Sequence, residues 1–251
     1  MTESSRSIKP FLLLATRADD AAADDEYNAF LRSGSLTPSS LVRMRMESGP
    51  LPALELDKYS GVLVGGSPFN TSDPVCQKSP VQVRVEAELA ALLDRIVAAD
   101  FPFLGACYGV GTLGAHQGAV IGRRFGEPIS QVQVSLTESG VRDPLLAGLP
   151  AQFQAFVGHK EACTELPPDA VLLASSVTCP VQMFRIKSNL YATQFHPELD
   201  VAGLLTRIEV YRNAGYFPID QLEQVRARTR AASVDRPGEI IANFVRRYAR
   251  R

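Results

Sequence analysis

Phe101-Pro102-Phe103-Leu104-Gly105-Ala106-Cys107-Tyr108-Gly109 is the stretch that decides the fold. An apolar run meets a Gly-x-Cys-x-Gly turn, and Val110-Gly111-Thr112-Leu113-Gly114-Ala115-His116 follows. The pattern predicts a buried strand, a tight turn carrying a thiol, and the start of a helix. Small residues flank the thiol because a sharp strand-to-helix turn crowds the backbone. A helix N-terminus favours the thiolate, which is the nucleophilic form. Cys107 is therefore a candidate to attack a carbonyl. A buried structural cysteine is the plainer alternative, since free Cys is among the most buried residue types.

Working outward toward the N-terminus, Val81 to Ala98 carries Val85, Leu89, Leu92, Leu93 and Ile96 at helical spacing, which predicts an amphipathic helix leading into the Cys107 strand. Before it, Phe69 to Ser79 is polar and irregular and reads as a mobile flap. Tyr59 to Val64 is a short apolar run that opens into Gly65-Gly66-Ser67-Pro68. Such a loop can turn backbone N–H groups toward an anion, or can be an ordinary strand-end turn. Ile8 to Ala15 and Leu41 to Met46 predict two further strands, with a helix from Asp19 that ends at Gly34. Strand, helix, strand in this order predicts a parallel sheet with right-handed crossovers.

Toward the C-terminus, strands are expected at Ala119 to Ile121, Ile129 to Thr137, Phe153 to Val157, Val171 to Ala174 and Val181 to Ile186. A short helical turn is expected within Asp143 to Pro150. The last strand, Leu190 to Phe195, runs into His196-Pro197-Glu198. Beyond about residue 200 the chain reads as a helical extension: Val201 to Tyr211, Asp220 to Arg230, and Pro237 to Arg250. Tyr211, Tyr216 and Phe217 there can cap a site, make a homodimer contact, or simply pack in the core. No repeat or linker interrupts the chain, so residues 1–251 are expected to form a single domain.

A cysteine nucleophile needs a base, and the base needs an orienter. Three histidines are present, His116, His159 and His196. His116 lies nine positions along the helix from Cys107, about 13 Å at about 1.5 Å per residue, too far to be its base. His159, in Gly158-His159-Lys160, can line a site. His196 ends a strand, where the sites of parallel sheets gather. Glu198 two residues on projects to the same side of an extended segment and can hold the imidazole. The Tyr108 and Gly66 amides are candidate donors to an oxyanion.

The 251 residues are 45% apolar, with 26 Lys+Arg against 27 Asp+Glu. That supports a substantial core and gives no argument for nucleic acid or a membrane surface as partner. No apolar run has the length of a membrane span. The polar start Met1-Thr2-Glu3-Ser4-Ser5-Arg6-Ser7 lacks a signal-peptide core, so a cytoplasmic location is expected. Cys76, Cys107, Cys163 and Cys179 lack paired metal-ligand spacing and are expected to be free thiols, with no metal or cofactor.

Three segments, Val64-Gly65-Gly66-Ser67-Pro68, Gly105-Ala106-Cys107-Tyr108-Gly109 and Gln194-Phe195-His196-Pro197-Glu198, resemble in type and order the signature segments of class I glutamine amidotransferases. Gly158-His159-Lys160 through Leu166-Pro167 resembles a weaker fourth. Within the family the chain is similar to stand-alone relatives of the GMP synthase glutaminase domain. The resemblance implies an open α/β sheet with flanking helices and a flavodoxin-like core. It implies a Cys107, His196 and Glu198 triad with Gly66 and Tyr108 supplying oxyanion amides. It also implies hydrolysis of the glutamine side-chain amide through a thioester, with ammonia released.

One departure bears on substrate contacts by Gly65, Gly111 and His159. The family usually has Gln where this chain has Gly111. An empty position there would suit a larger γ-glutamyl peptide or amine substrate. No ATP-pyrophosphatase loop of Ser-Gly-Gly-Val-Asp-Ser type occurs. An ammonia-consuming synthetase would therefore be a separate chain, and a glutaminase silent without that partner is a further expectation.

Overall fold

The computed structural model describes residues 8–250; the reading of the polar first seven residues lies outside them. The first half alternates strand and helix: β1 (Phe11–Ala15), α1 (Asp20–Gly34), β2 (Leu41–Arg45), β3 (Val62–Val64), α2 (Pro80–Ala98), β4 (Phe103–Ala106) and α3 (Tyr108–His116). The middle is strand-rich: β5 (Val120–Gly122), β6 (Glu127–Leu136), α4 (Glu138–Arg142), β7 (Gln152–His159), β8 (Ala162–Glu165), β9 (Val171–Ser175), β10 (Met183–Ile186) and β11 (Leu190–Thr193). Three helices close the chain, α5 (Val201–Val210), α6 (Leu222–Arg230) and α7 (Gly238–Tyr248).

Local chemistry sets the helix starts. The Asp19 carboxylate accepts the Ala22 N–H at 3.0 Å and begins α1. Ser79 Oγ accepts the Gln82 N–H at 3.1 Å with Pro80 at the first helical position of α2. Both caps satisfy donors that a helix start otherwise leaves unpaired. The buried stripe of α2 is Val85, Leu89, Leu92, Leu93 and Ile96, as its spacing predicted.

Among the described residues the main sheet has nine strands in the order β2-β1-β3-β4-β11-β10-β9-β6-β7. β2, β1, β3, β4 and β11 run parallel, and antiparallel ladders extend the sheet from β11 to β7. β5 and β8 pair apart from it. This is the open α/β architecture the sequence implied. β8 and the one-turn helix α4 were not foreseen.

Alternate residues of each central strand feed opposite layers of core. Leu13, Leu63 and Leu104 pack with Phe30 of α1 and Phe244 of α7, whereas Leu12, Leu14, Val62 and Phe103 pack with Val85 and Leu89 of α2. Helix α7 is thus part of the core, while α5 and α6 pack in a smaller cluster with Phe156. Truncating Phe244, fully buried against Phe11, costs about 3–5 kcal/mol for an aromatic of this size. No helix among the described residues is long and apolar enough to cross a membrane.

Candidate active site

Strands β3, β4 and β11 are neighbours, and their C-terminal ends carry Gly65-Gly66, Cys107 and His196 in turn. Cys107 sits between β4 and α3 at φ 53° and ψ −80°, a strained conformation that lifts its side chain out of the sheet. A Cβ on Gly105 would fall 2.5 Å from the Gly109 Cα, so the turn closes only with glycine there. The Cys107 N–H donates to the Thr193 carbonyl at 2.7 Å, tying the elbow to the end of β11. Three residues on, the His196 N–H donates to the Phe156 carbonyl of β7 at 2.9 Å. His196 Nδ1 and Glu198 Oε1 are 2.8 Å apart, with both residues buried.

Cys107, His196, Arg17, Arg207, Tyr211 and Tyr216 line one cavity of about 30 Å³, room for a water or two. Tyr211 and Tyr216 thus line this cavity, while Phe217 packs in a core cluster with Leu199, Leu204 and Ile208. Burial pushes the Cys107 thiol up to about 12, against the pull of Arg17 and Arg207 and with the help of Glu198. The direction is opposite to the lowered thiol pKa expected at a helix N-terminus: removal from water outweighs the pull of the two guanidinium groups. Burial also lowers the His196 imidazole, which Glu198 alone would raise. Burial would raise Glu198, but the charges of His196 and Arg207 outweigh it and hold the carboxyl well below its usual range.

The two expected oxyanion donors differ. Tyr108 is the first residue of α3, so its N–H has no intrahelical partner. The Gly66 N–H instead donates to Glu26 Oε1 at 3.1 Å, so that donor is already engaged. Gly66 does stand against the imidazole. A Cβ there would lie 2.7 Å from His196 Cε1 and 2.6 Å from Arg17 Nη2, and one on Gly65 would lie 2.3 Å from Glu26 Oε2.

Gly111 does not leave open room. A Cβ there would meet Thr71 Oγ1 at 2.4 Å and Glu161 Oε1 at 2.9 Å. The Glu161 carboxylate accepts the Thr71 and Ser72 N–H groups, each at 2.7 Å. The segment expected to be a mobile flap is thus pinned into the space that the absent side chain leaves. His159 is not among the residues lining the Cys107 cavity. Its Nδ1 faces the Glu161 carbonyl at 2.8 Å and its Nε2 faces Glu127 Oε2 at 2.8 Å. His116, the last residue of α3, pairs with Asp94 of α2 at 2.9 Å and does not line the Cys107 cavity.

The sequence model of the family described as glutamine amidotransferase class-I matches residues 37–203. The chain belongs to that family. The glutamine-hydrolyzing GMP synthase of Thermococcus kodakarensis has a subunit that is 28% identical over 165 residues, covering 65% of this chain and 78% of that one. The glutamine-hydrolyzing GMP synthase of an Enterobacter species is 32% identical over 149 residues, 56% of this chain and 25% of that longer one. A glutamine amidotransferase from Thermotoga maritima of solved structure shares the fold, with TM-score 0.71 and 20% identity, covering 96% of this chain and 98% of that chain.

In this amidotransferase, three buried charged residues at the site lie outside the segment that matches the family: Arg17, Glu26 and Arg207. Glu26 Oε1 takes Arg17 Nε at 2.9 Å and lies 3.4 Å from Arg207 Nη2. Arg17 Nη1 donates to the Tyr211 hydroxyl at 3.1 Å. Arg207 Nη2 donates to Glu198 Oε1 at 2.9 Å, and its Nη1 lies 3.0 Å from His196 Nδ1. Glu26 falls on the buried stripe of α1 with Ala22, Ala23, Ala29 and Phe30, and Arg207 on that of α5 with Gly203, Leu204 and Ile208. A charge on an apolar stripe was the available signal.

Among the described residues, one group brings three metal-ligating atoms within 4.8 Å of each other: Glu127, His159 and Cys179. Its His–Glu pair lies at hydrogen-bond distance, 2.8 Å, and Glu127 further accepts from Gln182 Nε2 at 2.8 Å and from Thr178.

Proposed function

We propose that the chain hydrolyses the side-chain amide of glutamine and releases ammonia through a thioester on Cys107. The observation that carries this reading is the buried 2.8 Å contact between His196 Nδ1 and Glu198, beside a thiol on a positive-φ elbow. Cys107 Sγ attacks the amide carbon while His196 Nε2 takes the thiol proton. Glu198 steadies the imidazolium, which returns the proton to the departing ammonia. The Tyr108 N–H, and the Gly66 N–H once Glu26 yields it, hold the oxyanion. Water then attacks the thioester by the same steps, returning the free thiol and glutamate. Incubation of the purified chain with glutamine, with ammonia and glutamate measured, tests this. Release by the native chain and none by Cys107→Ala is the expected result; equal release by both sinks the mechanism.

A second reading has its own support: the chain alone turns over slowly and a separate synthetase chain, which would consume the ammonia, raises the rate. The engaged Gly66 amide, the thiol that burial pushes up and the 30 Å³ cavity favour it. Substrate pockets are usually about ten times larger. The γ-glutamyl peptide or amine substrate loses its motive, because Thr71 and Glu161 fill the space at Gly111. We place the activity in the cytoplasm, where four free thiols stay reduced. We also read residues 8–250 as one folding unit, since α7 and β1 share a core.

A further inference from the structure

We propose that Arg207 is a positioning residue that works through His196: it contests Glu198 for Nδ1 and so sets which nitrogen of the imidazole carries the proton. The inference deepens the glutamine-hydrolysis reading and rests on it for its functional meaning. A guanidinium donates only, and an ionised carboxylate accepts only. Nδ1 lies 2.8 Å from Glu198 Oε1 and 3.0 Å from Arg207 Nη1. One ring nitrogen cannot satisfy both. With a proton on Nδ1 it bonds Glu198 and meets an Arg207 N–H head-on. With Nδ1 bare it accepts from Arg207 and turns its lone pair toward Glu198.

The neighbours decide between these. Glu198 Oε1 has a second donor, Arg207 Nη2 at 2.9 Å, whichever way the ring is protonated. Nη1 of Arg207 has Nδ1 as its bonding partner, and Nε of the same guanidinium is already buried without one. Glu198 Oε2 and Arg207 Nε are buried without a partner in either form, so they do not discriminate. Protonating Nδ1 adds an unmade donor on the buried guanidinium, whereas a bare Nδ1 leaves Glu198 Oε1 its bond from Arg207 Nη2. The resting neutral imidazole therefore holds its proton on Nε2, the nitrogen left for Cys107. In that form it cannot take the thiol proton. A shift of α5 that carries Nη1 away gives Nδ1–H back to Glu198 and turns Nε2 into a base. The C-terminal extension, which lies outside the family match, acquires a role at the chemistry through this one side chain.

The test is ¹⁵N NMR of the intact chain labelled at histidine, at neutral pH and without substrate. His116→Gln and His196→Gln variants assign the three rings. Couplings to the ring carbon-bound protons tell Nδ1 from Nε2. The expected result is a bare Nδ1 on His196 in the native chain and a protonated Nδ1 in Arg207→Met. Arg207→Lys, which keeps a charge but cannot present two forked donors, serves if the Met variant does not fold, with the same shift expected. A native chain whose His196 carries its proton on Nδ1 overturns the proposal, whatever the variants do. So does an unchanged pattern in a folded Arg207 variant, which would reduce the residue to a structural charge partner. Because no substrate is present, failure to hydrolyse glutamine would defeat the proposed reaction and leave this measurement standing.

Discussion

Among the described residues two Cys–His–Glu groups can be compared, one at the ends of the parallel strands and one in the antiparallel half. Cys107, His196 and Glu198 gather where β4 and β11 end. Glu127 and His159 face each other across the β6–β7 ladder, and Cys179 comes from the link between β9 and β10. Burial pushes both thiols up to about 12. The groups differ in what surrounds them. His159 has an acceptor at each ring nitrogen, and the Cys179 thiol points at the Val181 carbonyl at 3.5 Å. His196 has two rivals at one nitrogen, and Cys107 sits on a strained turn facing a cavity. The same three residue types thus sit in a closed, packed setting in one group and beside a cavity in the other.

The largest break between the two groups is expected at the thiols. Cys107→Ala removes the nucleophile and drops glutamine hydrolysis to background, about 10⁴-fold or more for loss of a covalent nucleophile. Cys179→Ala leaves kcat within about threefold, because the variant touches packing alone. Ammonia release from both proteins measures this. Comparable losses would erase the distinction between the groups.

The carboxylates come next. Glu198→Gln leaves the imidazole without its counter-charge and lowers kcat by about 10²–10⁴-fold, the range seen when an orienting carboxylate is neutralised. Glu127→Gln is expected to leave kcat within a few-fold and to lower thermal stability instead, by about 1–3 kcal/mol for a buried hydrogen-bonded charge. Steady-state kinetics alongside thermal melts separates the two. A melting temperature unchanged by Glu127→Gln would remove the structural role assigned to the second group.

A smaller effect sharpens the contrast at the thiol itself. With exposed Cys76 replaced by Ser, alkylation of Cys107 is expected to be slow near pH 7 and to climb about tenfold per pH unit toward 12, since only the thiolate reacts. Rapid labelling at pH 7 would show a thiolate that burial does not suppress. The smallest effect concerns acid stability. Burial raises Glu127, but hydrogen bonds from His159 and Thr178 outweigh it and the net shift is downward. Glu198 is also lowered. The unfolded chain binds those protons first, so both groups stabilise the fold above the usual carboxylate range. Their contribution is lost as pH falls through the depressed values. Denaturant titrations below pH 5 should show a loss that is shallower in Glu127→Gln than in the native chain.

The sequence made the sheet readable through its apolar runs, and the elbow through two glycines around one cysteine. β8 escaped because Ala162-Cys163-Thr164-Glu165 is four mixed residues paired only with β5. α4 escaped because one turn leaves no period to read, although Thr137 Oγ1 caps it by accepting the Gly140 N–H at 3.0 Å. At the site, Cys107 and His196-Pro197-Glu198 were legible because they are contiguous motifs. Glu26 and Arg207 were not: a lone charge in a helix reads as solvated until the fold shows which face is covered. The contents of the Gly111 space needed tertiary structure too, because Thr71 and Glu161 reach it from distant parts of the chain.

β11 lies between β4 and β10, with the amide of Cys107 bonded to its last residue. The strand that completes the middle of the sheet is thus among the last to be synthesised. Until it inserts, β4 has a bare edge, the elbow has no carbonyl to anchor it, and His196 has not arrived. Long-range pairings of this kind are slow to form. A nascent or half-folded chain that has not yet inserted β11 therefore carries Cys107 without His196 and Glu198 beside it.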